Sequence, residues 1–237
     1  MTTALVPDST VAPDSTVVPS RAAIASLAVA GPLWAAVSLA QVATRDGFDL
    51  MRHPLSLLST GALGWIQIAN FVLAGALLLA GAAALPGRWS PRLVRIAGAG
   101  MIAAGALVMD PGSGFPAGTP DTVPSTMSWH AIGHMAAGTV TFTALIAACY
   151  VLARHYSRPD ARVGRRDGSR AESRAESRGG SRGGSRGLAL GAALAGTALL
   201  AGDGWAMSGG PAGTVTLAVG AITAMCFLSV AALYPRP

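Results

Sequence analysis

Six apolar stretches of about twenty residues recur along this chain of 237 residues, at 22–43, 64–85, 93–109, 128–153, 187–207 and 212–234. A helix rises about 1.5 Å per residue, so each comes close to crossing a hydrocarbon core of about 30 Å. Inside that core no water is present to satisfy backbone N–H and C=O groups, and a stretch of this length must satisfy them within its own helix. The expected fold is therefore all-α: a polytopic membrane helix bundle with six transmembrane helices. Composition agrees, because 12% charged residues is about half the usual soluble share.

Charge gives the expected orientation. All 17 basic residues are Arg, a usage that fits high-GC bacterial coding, and they gather in two connections. Arg88, Arg92 and Arg95 mark the second, and ten Arg from Arg154 to Arg186 mark the fourth. The third connection carries Asp110 and Asp121 without a base, and the fifth carries Asp203. Since Arg near span ends is retained on the cytoplasmic side, connections two and four are expected inside, with both termini cytoplasmic, in the cell membrane. Trp65, Trp129 and Trp205 fall at outer span ends and Trp89 at an inner one, where indole anchors to the interface.

The parts between the spans divide the chain. Residues 1–21 contain a near-duplicate around Pro7-Asp8-Ser9-Thr10-Val11 and read as a disordered tail ahead of spans one to four at 22–153. Residues 154–186, with Ser-Arg-Ala-Glu and Ser-Arg-Gly-Gly repeats, read as a disordered Arg-rich cytoplasmic loop before spans five and six at 187–234. No aromatic interrupts those repeats to stack on bases, so the expected partner is membrane lipid and not nucleic acid. Cys149 and Cys226 lie within spans without a metal or redox spacing and read as packing residues. Oligomeric state is not readable.

Polar residues in and near the spans collect at the outer end: Gln41, His53, Ser56, Gln67, Asn70, Asp110, His130, His134 and Asp203. Such groups are costly in a membrane unless paired or wetted, which makes the cluster the candidate site. His130 and His134, four apart on one helix, present their rings on the same face. With Asp110, and His53 as a further ligand, they make a candidate zinc site with a position left for water. Ser56 and His53 are then the catalytic candidates, and a zinc-activated water would hydrolyse an ester or amide. The competing expectation is a structural clamp in which the same histidines bond Asp110, Ser56 or loop carbonyls. Loop 53–61 is too apolar for solvent and is expected to lie in the interface or fold back into the bundle. Loop 110–120, dense in Pro and Gly, is expected to be an ordered cap, and together they would roof an outer cavity.

Gly31-Pro32-Leu33-Trp34, residues 45–49, His53-Pro54-Leu55-Ser56-Leu57-Leu58-Ser59, residues 64–71, Asp110-Pro111, residues 114–120 and Trp129-His130 with Gly133-His134 resemble the bacterial "domain of unknown function 998" family. The likeness covers about residues 30–154, with the last two spans matching by hydropathy. It implies a multi-pass membrane protein without an assigned activity. A more remote likeness joins the Ser, Asp and His set to the membrane hydrolases that include alkaline ceramidases and adiponectin-receptor-like proteins, although there the paired His lie on the last span and here on the fourth.

Three function classes follow. The chain is expected to be an integral membrane protein whose outer His/Asp cluster is structural or ligand-binding. The alternative is a zinc-dependent membrane hydrolase acting on a lipid-like substrate, and whether the chain is an enzyme stays open. Transport ranks last, because no Arg, Asp or Glu stands in the middle of a span.

Overall fold

The computed structural model describes residues 18–122, 125–158 and 173–234, with side chains omitted for 173–184. It is all-helical. Helices α1 (Arg21–Thr44), α2 (Gly64–Gly81), α3 (Ser90–Ala106), α4 (Trp129–Ser157), α5 (Ser173–Met207) and α6 (Gly213–Leu233) run alternately up and down, with short 3-10 turns at Leu55–Ser59 and Ala82–Ala84. The tail at 1–17 and residues 159–172 of the Arg-rich segment lie outside the described residues. Within that segment α4 continues to Ser157, and α5 starts at Ser173.

Among the described residues five helices are long and apolar enough to cross a membrane, where the sequence leads one to expect six. The difference is α3. It has 17 residues, or about 25 Å at helical rise, and it begins three residues before the expected span and ends three before its close. Pro91 in its first turn sets that start, Arg92 and Arg95 dilute its first two turns, and the chain leaves the helix at Leu107.

Each helix packs on its neighbours in the chain, and α6 returns against α1, so the six close into a ring. Lipid-facing positions such as Val29, Leu73, Ile96, Val140, Leu194 and Val230 are exposed and apolar. Between helices in lipid there is little hydrophobic gain, so the seams depend on close backbone approach. Glycines supply it: Gly81 lies on Leu27 of α1, Gly75 and Gly98 face each other across α2 and α3, and Gly196 meets Cys149 of α4. At the closing seam a Cβ on Gly31 would come within 2.5 Å of the Met225 carbonyl of α6.

That seam also braces α1. Pro32 lies inside the helix and lacks the N–H that would serve the Ala28 carbonyl, which loosens the backbone ladder. Ser229 of α6 sits against the turn before it: its Oγ accepts from the Gly31 N–H at 3.2 Å and donates to the Leu27 carbonyl at 2.8 Å. Interhelical hydrogen bonds of this kind help hold helices together in lipid.

Leu27, Leu78, Leu152 and Leu228, all fully buried, fill one half of the ring. The other half, under the 45–63 and 107–128 connections, is called the cap end below. Trp65, Trp129 and Trp205 are exposed at the cap end, and Trp89, flanked by the Arg88 and Arg92 guanidinium groups, is exposed at the opposite end.

Candidate functional site

The cap is two loops locked together. Arg45, just past the end of α1, donates to the carbonyls of Leu58 at 3.0 Å and Thr60 at 2.8 Å, and its guanidinium stands 5.0 Å from the Phe115 ring centre. Burial pushes its pKa down from the usual value, and a guanidinium remains charged regardless. Arg52 pairs with Asp121, and Gly61 lies against Pro116. His53 is the pin. Its Nδ1 accepts from the Asp49 N–H at 2.9 Å, which places the ring proton on Nε2, and Nε2 donates to the Ser113 carbonyl at 2.8 Å. Phe48 and Phe115 enclose the ring at 5.3 and 5.6 Å between centres. Both nitrogens of His53 are thus engaged in holding the first loop to the third.

Asp110, Ser128 and His130 form a second group at the start of α4. Ser128 is the helix N-cap, with its Oγ accepting from the Ala131 N–H. It also donates that hydroxyl to Asp110 Oδ1 at 2.6 Å and its backbone N–H to Oδ2 at 2.7 Å. His130 Nδ1 lies 3.1 Å from the Val108 carbonyl and 2.8 Å from Ser128 Oγ, while Asp110 is 3.9 Å away. The two Ser128 bonds hold the Asp110 carboxyl below the usual carboxylate range, with the nearby His130 adding to them. A depressed folded pKa contributes stability in full above about pH 4, which is lost as pH falls through the lowered value. Hydrogen exchange of the Ser128–Ala131 turn is therefore expected to be flat between pH 5 and 8 and to accelerate, after correction for intrinsic rates, below pH 4; Asp110→Asn removes that dependence.

His134 does something the spacing did not foretell. Its Nδ1 stands 2.8 Å from the Ala104 carbonyl and 2.7 Å from that of Leu107, so the proton sits there and the imidazole caps the C-terminal carbonyls of α3 from α4. Capping in this way is what lets α3 end early beneath the cap. Nε2 is left on the ring edge turned away from α3. His130 and His134 share a helix face, as expected, but each commits Nδ1 to backbone oxygen. Among the described residues no group of three His, Cys, Asp or Glu side chains is placed to hold a metal ion.

Between the cap and the leucine-filled half lies a cavity of about 260 Å³ to which all six helices contribute. That is close to the lower end, about 300 Å³, of small-molecule sites. Pro54, Leu55 and Ser56 of the folded-back first loop form its roof, and Phe71, Met101, Phe142, Leu217 and Met225 form apolar walls. His134, Asp203 and Trp34 are also among the lining residues. Ser56 and His134 thus both line the cavity, whereas His53, His130 and Asp110 lie outside it. Trp34 is buried with its Nε1–H unpartnered.

Beside Trp34, α1 and α2 are joined by a buried polar network. Gln41 Nε2 donates to Gln67 Oε1 at 2.7 Å, and Asn70 Nδ2 donates to the Trp34 carbonyl and to Ser38 Oγ, each at 3.1 Å. Gln41, Gln67 and Asn70, expected in the site, are helix-to-helix glue of the kind lipid-embedded bundles use. Sequence reasoning missed Trp34 as a cavity residue. The signal was there, because the other Trp residues stand at span ends and Trp34 stands inside one.

The architecture defines a multi-pass helical membrane protein with a capped cavity in one half of its ring. The model of a protein family of unknown function, DUF998, matches residues 28–234, and the chain belongs to that family. The match runs through α5 and α6, beyond the residues that carry the motifs. No curated protein and no solved structure matches the chain.

Proposed function

We propose that this protein holds one amphipathic, lipid-like molecule in the cap-end cavity, with the cap on the extracytoplasmic side of the cell membrane and both termini in the cytoplasm. The observation that carries the reading is the cavity itself: apolar walls from every helix, with the polar residues Ser56, His134 and Asp203 among the lining. The sidedness follows from Arg88, Arg92, Arg95 and Arg154 at the end opposite the cap.

Gly138 offers the test. It lines the cavity, and a Cβ there would meet nothing within 4 Å. Gly138→Leu should therefore fill the space without disturbing the backbone, and replacing Gly inside a helix gains about 0.5–1 kcal/mol. Lipid extracted from the purified wild type is expected to contain one enriched amphiphile at near one per chain, lost in Gly138→Leu while the melting temperature holds or rises. Identical lipid profiles in both would defeat the reading.

A zinc-dependent hydrolase working on the same kind of molecule is the second reading, supported by Ser56 and His134 both lining the cavity. It requires near-stoichiometric zinc that disappears in His134→Ala, measurable on the same purified samples.

A further inference from the structure

The cavity is not enclosed evenly. Its lining residues on α1, α2 and α3 are buried, while Met135 and Thr139 of α4 and Met207 of α5 are exposed. At this level α4 is drawn toward α3, through His134 and through Gly133 against Leu107. The α5 helix is drawn toward α6, through Gly202 against Thr216 and Gly213 against Ala206. Contact between α4 and α5 passes through Gly196 on Cys149 and the Tyr150–Thr197 hydroxyl pair, nearer the opposite end. The cavity therefore opens sideways, between α4 and α5, into the lipid.

Asp203 stands in that opening. It is the one acidic residue in the five spanning segments, and among the described residues it has neither hydrogen bond nor ion pair. A carboxylate at the edge of lipid is costly without a partner, and the helices around it bring no Arg to the cavity wall. Building on the amphiphile reading, we propose that the ligand is a lipid with an ammonium headgroup, taken up from the outer leaflet between α4 and α5, whose charge pairs with Asp203.

The test uses the full chain in dodecyl maltoside micelles, whose headgroup carries no ammonium, with two probes of equal tail, hexadecylamine and hexadecanol, and wild type beside Asp203→Asn, Asp203→Glu and Gly138→Leu. Wild type is expected to bind the amine at least tenfold tighter than the alcohol. Asp203→Asn should erase that preference, Asp203→Glu should restore most of it, and Gly138→Leu should weaken both probes, each variant retaining the wild-type melting temperature within a few degrees. Equal affinity of wild type for the two probes, or a preference untouched by Asp203→Asn, overturns the headgroup assignment while a loss of both in Gly138→Leu leaves the cavity reading standing. Binding of both probes unaffected by Gly138→Leu overturns the cavity reading and this inference with it.

Discussion

Gly31→Val is expected to prevent the ring from closing. Its branched side chain would start from a Cβ within 2.5 Å of the Met225 carbonyl, and the obstacle is backbone, which cannot rotate aside. Overpacking of this kind costs about 1–3 kcal/mol. Pushing α6 away also removes Ser229 from the turn loosened by Pro32, losing its bonds to Gly31 and Leu27, at about 1 kcal/mol each. The sum, about 3–5 kcal/mol, is a large share of the roughly 5–15 kcal/mol by which a typical fold is stable. Size-exclusion chromatography and thermal melts in detergent should show aggregation or a much lower midpoint. Gly138→Leu, a larger change at a position with open space, should melt like wild type. If the two glycine variants behaved alike, the closing seam would not be the point of strain.

The second large effect is expected at His53. His53→Ala removes a fully buried ring between Phe48 and Phe115 and leaves the Asp49 N–H and Ser113 carbonyl without their partner. Losing a buried aromatic side chain costs about 3–5 kcal/mol, and the stranded backbone groups add to it. The loss should be local. Proteolysis and hydrogen exchange at 45–63 and 107–122 should rise sharply, with α5 and α6 little changed. His53→Gln, which can still donate toward Ser113, should recover part of the protection. A catalytic His53 would behave differently: both variants would keep the cap intact and lose turnover.

Much of this was legible beforehand because lipid imposes simple rules. Span positions follow from length and apolar content, and five of the six helices fall within four residues of where hydropathy puts them, while α5 begins 14 residues earlier, at Ser173. The fold-back of 53–61 was readable because Leu55, Leu57 and Leu58 have no business in water, and they are buried. The Pro and Gly of 110–120 marked an ordered cap. Less was legible where one atom has to choose between partners. Spacing put His130 and His134 on a common face, but nothing in the sequence says that α3 ends with open carbonyls at the height of His134. Nor does it say that Ser128 sits between Asp110 and His130. Those facts depend on the register of α3 against α4, which arises from Gly100 packed on Thr141 and Gly133 on Leu107. The ring closure was equally hidden, since nothing in α1 says that Ser229 of α6 braces the turn before Pro32.

The closing seam also dictates an order of events during synthesis. Gly31 and Leu27 emerge with the first helix, and Ser229 with the last, 198 and 202 residues later. Until α6 is made the first helix sits in the bilayer without Ser229 beside Pro32, and a chain cut before α6 keeps the Gly31 N–H and the Leu27 carbonyl without that partner. Closure of the ring is thus registered chemically at the first helix, and a quality-control protease able to sense an unbraced turn in lipid would distinguish closed rings from open ones.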